Sequence, residues 1–214
     1  MQYDIAIFDL DGTLLDTSPG IFNCIRHTEA EMGLPPLDQK KYELFLGPPL
    51  FESYKRIYGL GEKEAMAAVR CYREYGSSKG IYEAAVFEGI EDCLQAIKAK
   101  GMKLAVATLK SQVLAEKSLQ YFSLHHYFDA IVGMNRAESL TKADTIRIAL
   151  EKVERKKSEK VVMIGDSEYD ATGAAEAGVD FIWVTYGFGF KPGDKQKLPY
   201  RYMVSTPMDL LDIL

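Results

Sequence analysis

The sequence predicts an α/β protein with a central parallel sheet and a small inserted α-helical cap domain. Short apolar runs rich in Val, Ile and aromatic residues recur between longer helical patterns, which is typical of repeated strand-helix units. The runs are nearly continuous in apolar character, as in Lys-Val-Val-Met-Ile at 160–164, which suits strands covered by helices on both faces. A purely helical stretch interrupts this alternation after the first strand.

The predicted core comprises residues 1–16 and 84–214. Six strands are expected in it, at about 3–9, 103–108, 129–134, 160–165, 181–186 and 201–205. Helical patterns lie between them, including one at 143–154. The sheet is therefore expected to lie at the centre of the core.

The predicted cap comprises residues 17–83. Turn signals rich in Gly and Pro separate its helical patterns, which lie at about 20–33, 38–45, 49–58 and 62–77. Two short linkers, at 16–19 and 84–88, would join the cap to the core. Such a domain is mechanically suited to open and close over a site.

Composition and charge limit the classes of partner. The net charge of -5 and the pI near 5.3 argue against nucleic-acid binding. Three widely spaced cysteines indicate neither a disulfide framework nor a metal site. The amino terminus does not resemble a signal peptide, and no apolar run approaches the roughly 18 residues of a membrane span. We therefore expect a cytoplasmic protein with no nucleic-acid or membrane partner, and either a monomer or a homodimer is compatible with the sequence.

The strongest motif is Asp9-Leu10-Asp11-Gly12-Thr13, at the end of the first predicted strand. Open α/β sheets bind their ligands at the carboxyl ends of parallel strands. Asp9 and Asp11 are therefore candidate site residues.

A second acidic pair, Asp166 and Asp170, follows the strand at 160–165. The spacing of four lets both side chains project to one side if a helix begins there. Either residue alone would be interpreted as a helix cap. Together with the first motif, the pair predicts a cluster of four carboxylates.

Such a cluster requires a positive charge, because each pair of carboxylates about 5 Å apart repels by roughly 3 kcal/mol at an effective dielectric constant of 20. A hard divalent cation with oxygen ligands is the natural partner, and Mg2+ commonly combines carboxylates with a phosphate oxygen of the substrate. The pattern therefore predicts a magnesium site and a phosphate ester as the ligand.

Two weaker signals would complete a phosphate site. Thr108 offers a hydroxyl at the end of the predicted strand 103–108, and the backbone amides that follow it are expected to open a helix, which favours an anion. Lys142 precedes the helical pattern at 143–154 and would neutralise both phosphate and carboxylates. Taken singly, each is more typical of an ordinary helix cap or a surface charge.

Four segments resemble, in their order along the chain, the haloacid dehalogenase superfamily, specifically its phosphoglycolate-phosphatase-like branch with a helical cap after the first motif: Asp9-Leu-Asp-Gly-Thr, Ala107-Thr-Leu-Lys, Lys142 and Gly165-Asp-Ser-Glu-Tyr-Asp. The resemblance covers nearly the whole chain and implies a Rossmann-like core. It also implies a magnesium-dependent phosphatase that hydrolyses a small phosphomonoester, phosphoglycolate-like or nucleotide-like, through an aspartyl-phosphate intermediate.

The resemblance also implies roles for individual residues. Asp9 would be the nucleophile and a metal ligand, and Asp11 would be the general acid and base and would offer its backbone carbonyl to the metal. Asp166 would be the third metal ligand and Asp170 a supporting acidic residue. The implied phosphate-binding residues are Gly12, Thr108, Leu109 and Lys142. Leu109 departs from the Asn or Ser of many relatives, so it could contribute only its backbone amide.

Other interpretations remain open. A phosphomutase of the same superfamily would use the same Asp9 and Asp11, and a noncatalytic phosphate-binding regulatory protein could retain the scaffold. A phosphonate hydrolase would need a cap lysine, for which Lys55 and Lys79 are candidates without supporting context. The segment 186–190, which alternates Gly with aromatics, predicts either a loop near the site or a plain turn.

Overall fold

The computed structural model describes residues 2–137, 139–189 and 199–214, and the described chain divides into two compact units. One unit comprises residues 1–16 and 85–214, and the other comprises 17–84. The division therefore lies one residue later than the sequence suggested, with Ala84 in the helical unit.

The larger unit contains a six-stranded sheet of β1 Ile5–Phe8, β4 Lys103–Ser111, β5 Ala130–Met134, β6 Val161–Gly165, β7 Asp180–Val184 and β8 Tyr202–Val204. All six strands are parallel, and their order in the sheet is β5-β4-β1-β6-β7-β8. The predicted α/β class and all six predicted strands are confirmed. Two two-residue strands, β2 Leu15–Asp16 and β3 Ala85–Val86, form a separate antiparallel pair that the sequence did not indicate.

Each strand of the sheet centre contributes alternate residues to two cores. In β1, Ala6 and Phe8 belong to one core, whereas Ile5 and Ile7 belong to the other. Helices α5 Ile90–Ala99 and α6 Gln112–Tyr121 pack on the first face. Helices α7 Lys142–Lys152 and α8 Glu168–Ala177 pack on the second. Both faces are covered, which explains why the strands are apolar throughout.

The smaller unit is helical. Its α-helices are α1 Ser18–Met32, α2 Gln39–Glu43, α3 Leu50–Tyr58 and α4 Glu62–Ser78, followed by a short 3-10 helix, Gly80–Tyr82. Its own apolar core includes Phe22, Ile25, Phe45, Tyr54 and Ala68. None of the helices in the described part of the chain has the length and apolar character that crossing a membrane requires.

The order of the strands determines where ligands can bind in the larger unit. After β1 and the helical unit, the chain forms β4 and β5 on one side of β1 and then β6, β7 and β8 on the other side. Ligands of open α/β sheets bind at such a reversal, outside the carboxyl ends of the strands. The first motif, which directly follows β1, lies at this point.

Candidate active site

Three of the predicted acidic residues form a buried group at the carboxyl ends of β1 and β6, which we call the acidic cluster: Asp9, Asp166 and Asp170. Their side chains each offer a carboxylate oxygen, and these oxygens all lie within 4.8 Å of one another. Asp9 follows β1, Asp166 follows β6, and Asp170 lies in the first turn of α8. The three residues are only 7%, 2% and 1% exposed, so water screens their mutual repulsion poorly.

Lys142 is the cation within this cluster. Its Nζ lies 2.5 Å from Asp9 Oδ1 and 2.6 Å from Asp170 Oδ1. The sequence placed Lys142 just before a helix, whereas it is the first residue of α7. Its side chain is buried, so it is an internal counter-ion and not a surface charge.

Two local features fix Lys142. Thr141 caps α7, because its hydroxyl accepts from the Asp144 amide at 3.1 Å while Asp144 accepts from the Thr141 amide at 2.9 Å. Gly173 of α8 packs directly on the lysine stem, and a Cβ at that position would lie 2.7 Å from Lys142 Cβ. The close approach of α8 to α7 therefore depends on a glycine.

Asp170 has a structural function as well as a place in the cluster. Its Oδ2 accepts from the Ser167 amide at 3.0 Å and from the Ser167 hydroxyl at 2.6 Å, and its amide donates to the Ser167 hydroxyl at 3.4 Å, so the two residues form the capping box of α8. A Cβ at Gly165 would collide with the Asp170 carboxyl group. The cap and the glycine leave Asp170 Oδ1 directed at Lys142.

Backbone amides of the segment after β7 hold Asp166. Its Oδ2 accepts from the amides of Phe188 at 3.0 Å and Gly189 at 2.7 Å. Side chains at Gly12 and Gly187 would both overlap the Asp166 carboxylate, so the two glycines allow this approach. The described part of the segment 186–190 is therefore a loop at the site, whereas Phe190 lies outside the described residues.

Burial and mutual repulsion change the proton affinities of the cluster. Burial raises the pKa of Asp9 to about 7, with Lys142 opposing the rise and Asp170 adding to it. Burial, and then the carboxylates of Asp170 and Asp9, raise the pKa of Asp166 well above its usual value despite the two amide donors. The pKa of Lys142 is raised, because the attraction of Asp170 and Asp9 outweighs its desolvation. One lysine thus does not neutralise three buried carboxylates.

Asp11 lies outside the acidic cluster and contacts a residue that the sequence analysis did not identify. Lys110 Nζ lies 2.8 Å from Asp11 Oδ1 and 3.2 Å from Oδ2. The Asp11 side chain is 27% exposed and that of Lys110 17%. The only available signal was the position of Lys110 two residues after Thr108, near the end of a strand.

The structure differs from the sequence prediction around Thr108. Strand β4 does not end at 108 but continues to Ser111, with an irregular register against β5 between Ala107 and Ser111. The buried Thr108 hydroxyl accepts from the Lys110 amide at 3.2 Å, and α6 begins only at Gln112. The helix therefore does not directly follow Thr108, and Leu109 is exposed.

The donor set fits a hard divalent cation. The three carboxylates of the cluster carry a formal charge of -3 and Lys142 contributes +1, which leaves -2 in a buried site. Among the described residues the group contains carboxylates and no His or Cys, and oxygen donors are the ligands that Mg2+ and similar ions prefer.

Comparisons with known proteins identify relatives over most of the chain. The family model for haloacid dehalogenase-like hydrolases matches residues 6–184. A 5'-nucleotidase of Pseudomonas aeruginosa is 37% identical over 203 residues, which cover 94% of this chain and 91% of that protein. The tyrosine-protein kinase PtkA of Mycobacterium tuberculosis is 36% identical over 186 residues, which cover 86% of this chain but 63% of that protein.

A solved structure extends the likeness to the whole fold. The structure of a haloacid dehalogenase-like hydrolase from Streptococcus pneumoniae superposes with a TM-score of 0.90 at 34% identity, covering 99% of this chain and 98% of that one. The family match at residues 6–184 includes Asp9, Lys142 and Asp166, and the Pseudomonas relative and the Streptococcus structure align over nearly the full length of this chain. The chain belongs to the haloacid dehalogenase-like hydrolase family.

Proposed function

We propose that this protein is a magnesium-dependent phosphatase that hydrolyses a small phosphomonoester through an aspartyl-phosphate intermediate on Asp9. The observation that carries the proposal is the buried acidic cluster with Lys142 at the carboxyl end of β1. A nucleophile, a cation and a residual negative charge that suits a divalent metal meet there. Membership of a hydrolase family supports the same reaction class.

Asp9 and Asp166 would bind the metal with their carboxylates, and Asp11 would add its backbone carbonyl. Asp170 would support the site from the side of Lys142, with which it already forms an ion pair. When bound, Mg2+ would neutralise charge on the carboxylates and on the phosphoryl oxygens. The raised pKa values of Asp9 and Asp166 reflect buried carboxylates that repel one another in the absence of a metal ion.

The reaction divides into two steps. In the first, the Asp9 carboxylate attacks phosphorus, the bond from phosphorus to the ester oxygen breaks, and Asp11 gives its proton to the departing oxygen. In the second, Asp11 takes a proton from water, the water oxygen attacks phosphorus, and the bond from phosphorus to Asp9 breaks. Phosphate leaves, and both carboxyl groups return to their initial state.

Other residues would hold the phosphoryl group. Lys142 would contact it from the interior, and Thr108 would donate its hydroxyl at the end of the regular part of β4. The backbone amides near Gly12 and Leu109 would add further donors. Positioning and charge neutralisation of this kind provide most of the catalysis in phosphoryl transfer.

The substrate class is a small phosphorylated metabolite, phosphoglycolate-like or nucleotide-like. The name of the 5'-nucleotidase relative, which aligns over 94% of this chain, supports a nucleoside monophosphate as the first compound to test. The acidic net charge of -5 does not favour a polynucleotide.

Transfer of the phosphoryl group to a second hydroxyl, as a mutase or kinase would perform it, is the second candidate. The kinase named among the relatives favours testing it. Both functions would share Asp9, and they differ only in whether water or another hydroxyl accepts the phosphoryl group.

A panel of phosphate esters tests the proposal. Purified protein is incubated with nucleoside monophosphates, phosphoglycolate and hexose phosphates, and released phosphate is measured with Mg2+ and with a chelator. We expect release that requires Mg2+ and is lost in Asp9→Asn, while Asp4→Asn, an exposed aspartate before β1, retains it. Transfer of the phosphoryl group to a second organic hydroxyl, without release of inorganic phosphate, would favour the second candidate. Release of inorganic phosphate that Asp9→Asn leaves unchanged would contradict the mechanism.

A further inference from the structure

Lys110 makes a two-point contact with Asp11 that no step of the proposed reaction uses. Its ammonium group lies within 3.2 Å of both carboxylate oxygens of Asp11, which is 99 residues away in sequence. Both side chains are partly buried. The contact therefore occurs where solvent can still enter, outside the acidic cluster.

The backbone of Lys110 is fixed from both sides. Its amide donates to the Thr108 hydroxyl at 3.2 Å. On the other side, Gly133 of β5 approaches so closely that a Cβ there would lie 2.6 Å from the Lys110 carbonyl oxygen. The Gln112 side chain secures this approach, since its Oε1 accepts from the Gly133 amide at 2.6 Å.

The irregularity in β4 gives Lys110 its direction. The register between β4 and β5 shifts between Ala107 and Ser111. Within that segment Leu109 is exposed, while Lys110 reaches across to Asp11. Bulged strands commonly redirect a side chain next to an active site.

We infer that Lys110 is a positioning residue that holds the Asp11 carboxyl group in the orientation from which it exchanges protons with the leaving oxygen and with water. This inference rests on the proposed function, in which Asp11 is the general acid and base. Lys110 acts through Asp11, whereas Lys142 contacts Asp9 and would contact phosphate. The two lysines of the site thus have separate tasks.

This assignment predicts which substrates depend on Lys110. An ester with a poor leaving group needs a proton on the departing oxygen as the bond to phosphorus breaks, but p-nitrophenolate departs readily without one. A lysine that only bound phosphate would affect both esters equally. Sensitivity to the leaving group therefore separates positioning of Asp11 from binding of the phosphoryl group.

The test compares kcat/KM for benzyl phosphate and p-nitrophenyl phosphate, which are similar in size. Since general acid catalysis contributes roughly 100-fold or more, we expect Lys110→Met to lower the value for benzyl phosphate about tenfold or more and that for p-nitrophenyl phosphate less than about threefold. Lys110→Arg should restore part of the loss. Lys103→Met is the matched control, because Lys103 begins the same strand and pairs with Glu159 away from the site.

A double variant provides the second arm. If Lys110 acts through Asp11, then Lys110→Met with Asp11→Asn is no slower on benzyl phosphate than Asp11→Asn alone. Equal losses on both esters, or additive losses in the double variant, would overturn the inference while leaving the phosphatase intact. Absence of magnesium-dependent turnover by the unaltered protein on either ester and on the metabolite panel would instead contradict the proposed function.

Discussion

Lys142 lies 2.5 Å from Asp9, although 133 residues separate them in sequence. The contact joins the start of α7 to the end of β1 and places a buried ammonium group beside the proposed nucleophile. Because Asp170 contacts the same ammonium, the position of Lys142 influences two carboxylates at once.

Substitution of Gly173 by alanine is predicted to impair the site through Lys142. The added Cβ would lie 2.7 Å from Lys142 Cβ and Cγ, so the lysine stem or α7 must shift. We expect phosphate release to fall about tenfold or more, because small misplacements of catalytic groups are costly. Steady-state kinetics with p-nitrophenyl phosphate measures the effect.

Gly76→Ala is the matched control for this change. Gly76 also lies within a helix, but a Cβ there would meet its nearest neighbour, Cys24 Sγ, at an ordinary 3.4 Å. It should retain activity and gain slightly in helix stability. Equal activity of both variants would contradict the role assigned to the contact between Gly173 and Lys142.

The stability of the metal-free protein is predicted to fall as the pH rises. The pKa of Asp9 in the folded protein is about 7, above its ordinary value of 3.8, so the folded state retains a proton that the unfolded state has lost between these values. This contribution is fully present below pH 3.8 and is lost as the pH rises through 7. The raised pKa of Asp166 acts in the same direction, so the free energy of unfolding should decrease as the pH rises through this window, by on the order of 1 kcal/mol or more per pH unit.

Urea denaturation in the presence of chelator at pH 5.5 and at pH 7 tests this dependence. We expect the free energy of unfolding to be about 2 kcal/mol lower at pH 7 than at pH 5.5. The difference between the two pH values should be smaller in Asp9→Asn, because asparagine does not titrate. It should also be smaller with Mg2+, because a cation favours the ionised carboxylates. A metal-free protein that becomes more stable towards pH 7 would contradict the electrostatic description of the cluster.

Glu29 is predicted to be important for the stability of the helical unit. This buried carboxylate accepts hydrogen bonds from the hydroxyls of Tyr42 and Tyr58, each at 2.7 Å, and from the Leu37 amide at 2.8 Å. Glu29→Ala would leave three donors without this acceptor. We expect a loss of about 2 to 4 kcal/mol in the free energy of unfolding, because each bond to a charged group contributes roughly 1.5 to 3 kcal/mol and removal of the buried carboxylate also removes its desolvation cost, which offsets part of the loss.

Chemical denaturation measures this loss, with Glu31→Ala as the control on the same helix. Glu31 is exposed, so its removal should change stability by less than about 0.5 kcal/mol. Comparable effects of the two substitutions would show that the hydrogen bonds to Glu29 contribute little.

The sequence predicted the sheet and the meeting of Asp9 and Asp166 because parallel strands bring their carboxyl ends to one edge. It did not predict the pair β2 and β3, since two-residue strands have no periodicity. It also did not identify the contact between Lys110 and Asp11. The direction of Lys110 depends on the register shift in β4, which apolar patterning does not encode.

Glu29 illustrates a second limit of sequence patterns. A glutamate within α1 is typical of a solvent-exposed helix face, yet this one is buried. Its partners come from α2, α3 and the segment before α2, so only the packed helices reveal the network. Long-range polar contacts of this kind depend on tertiary structure and not on local spacing.

Detection of the covalent intermediate tests the central claim most directly. Excess protein is mixed with a 32P-labelled phosphate ester that it hydrolyses, quenched in acid within the first turnover, and analysed for label on the peptide that contains Asp9. We predict hydroxylamine-sensitive label that requires Mg2+, is absent in Asp9→Asn and persists longer in Asp11→Asn. Phosphate release through the first turnover with no label on Asp9, in the unaltered protein and in Asp11→Asn alike, would contradict the account.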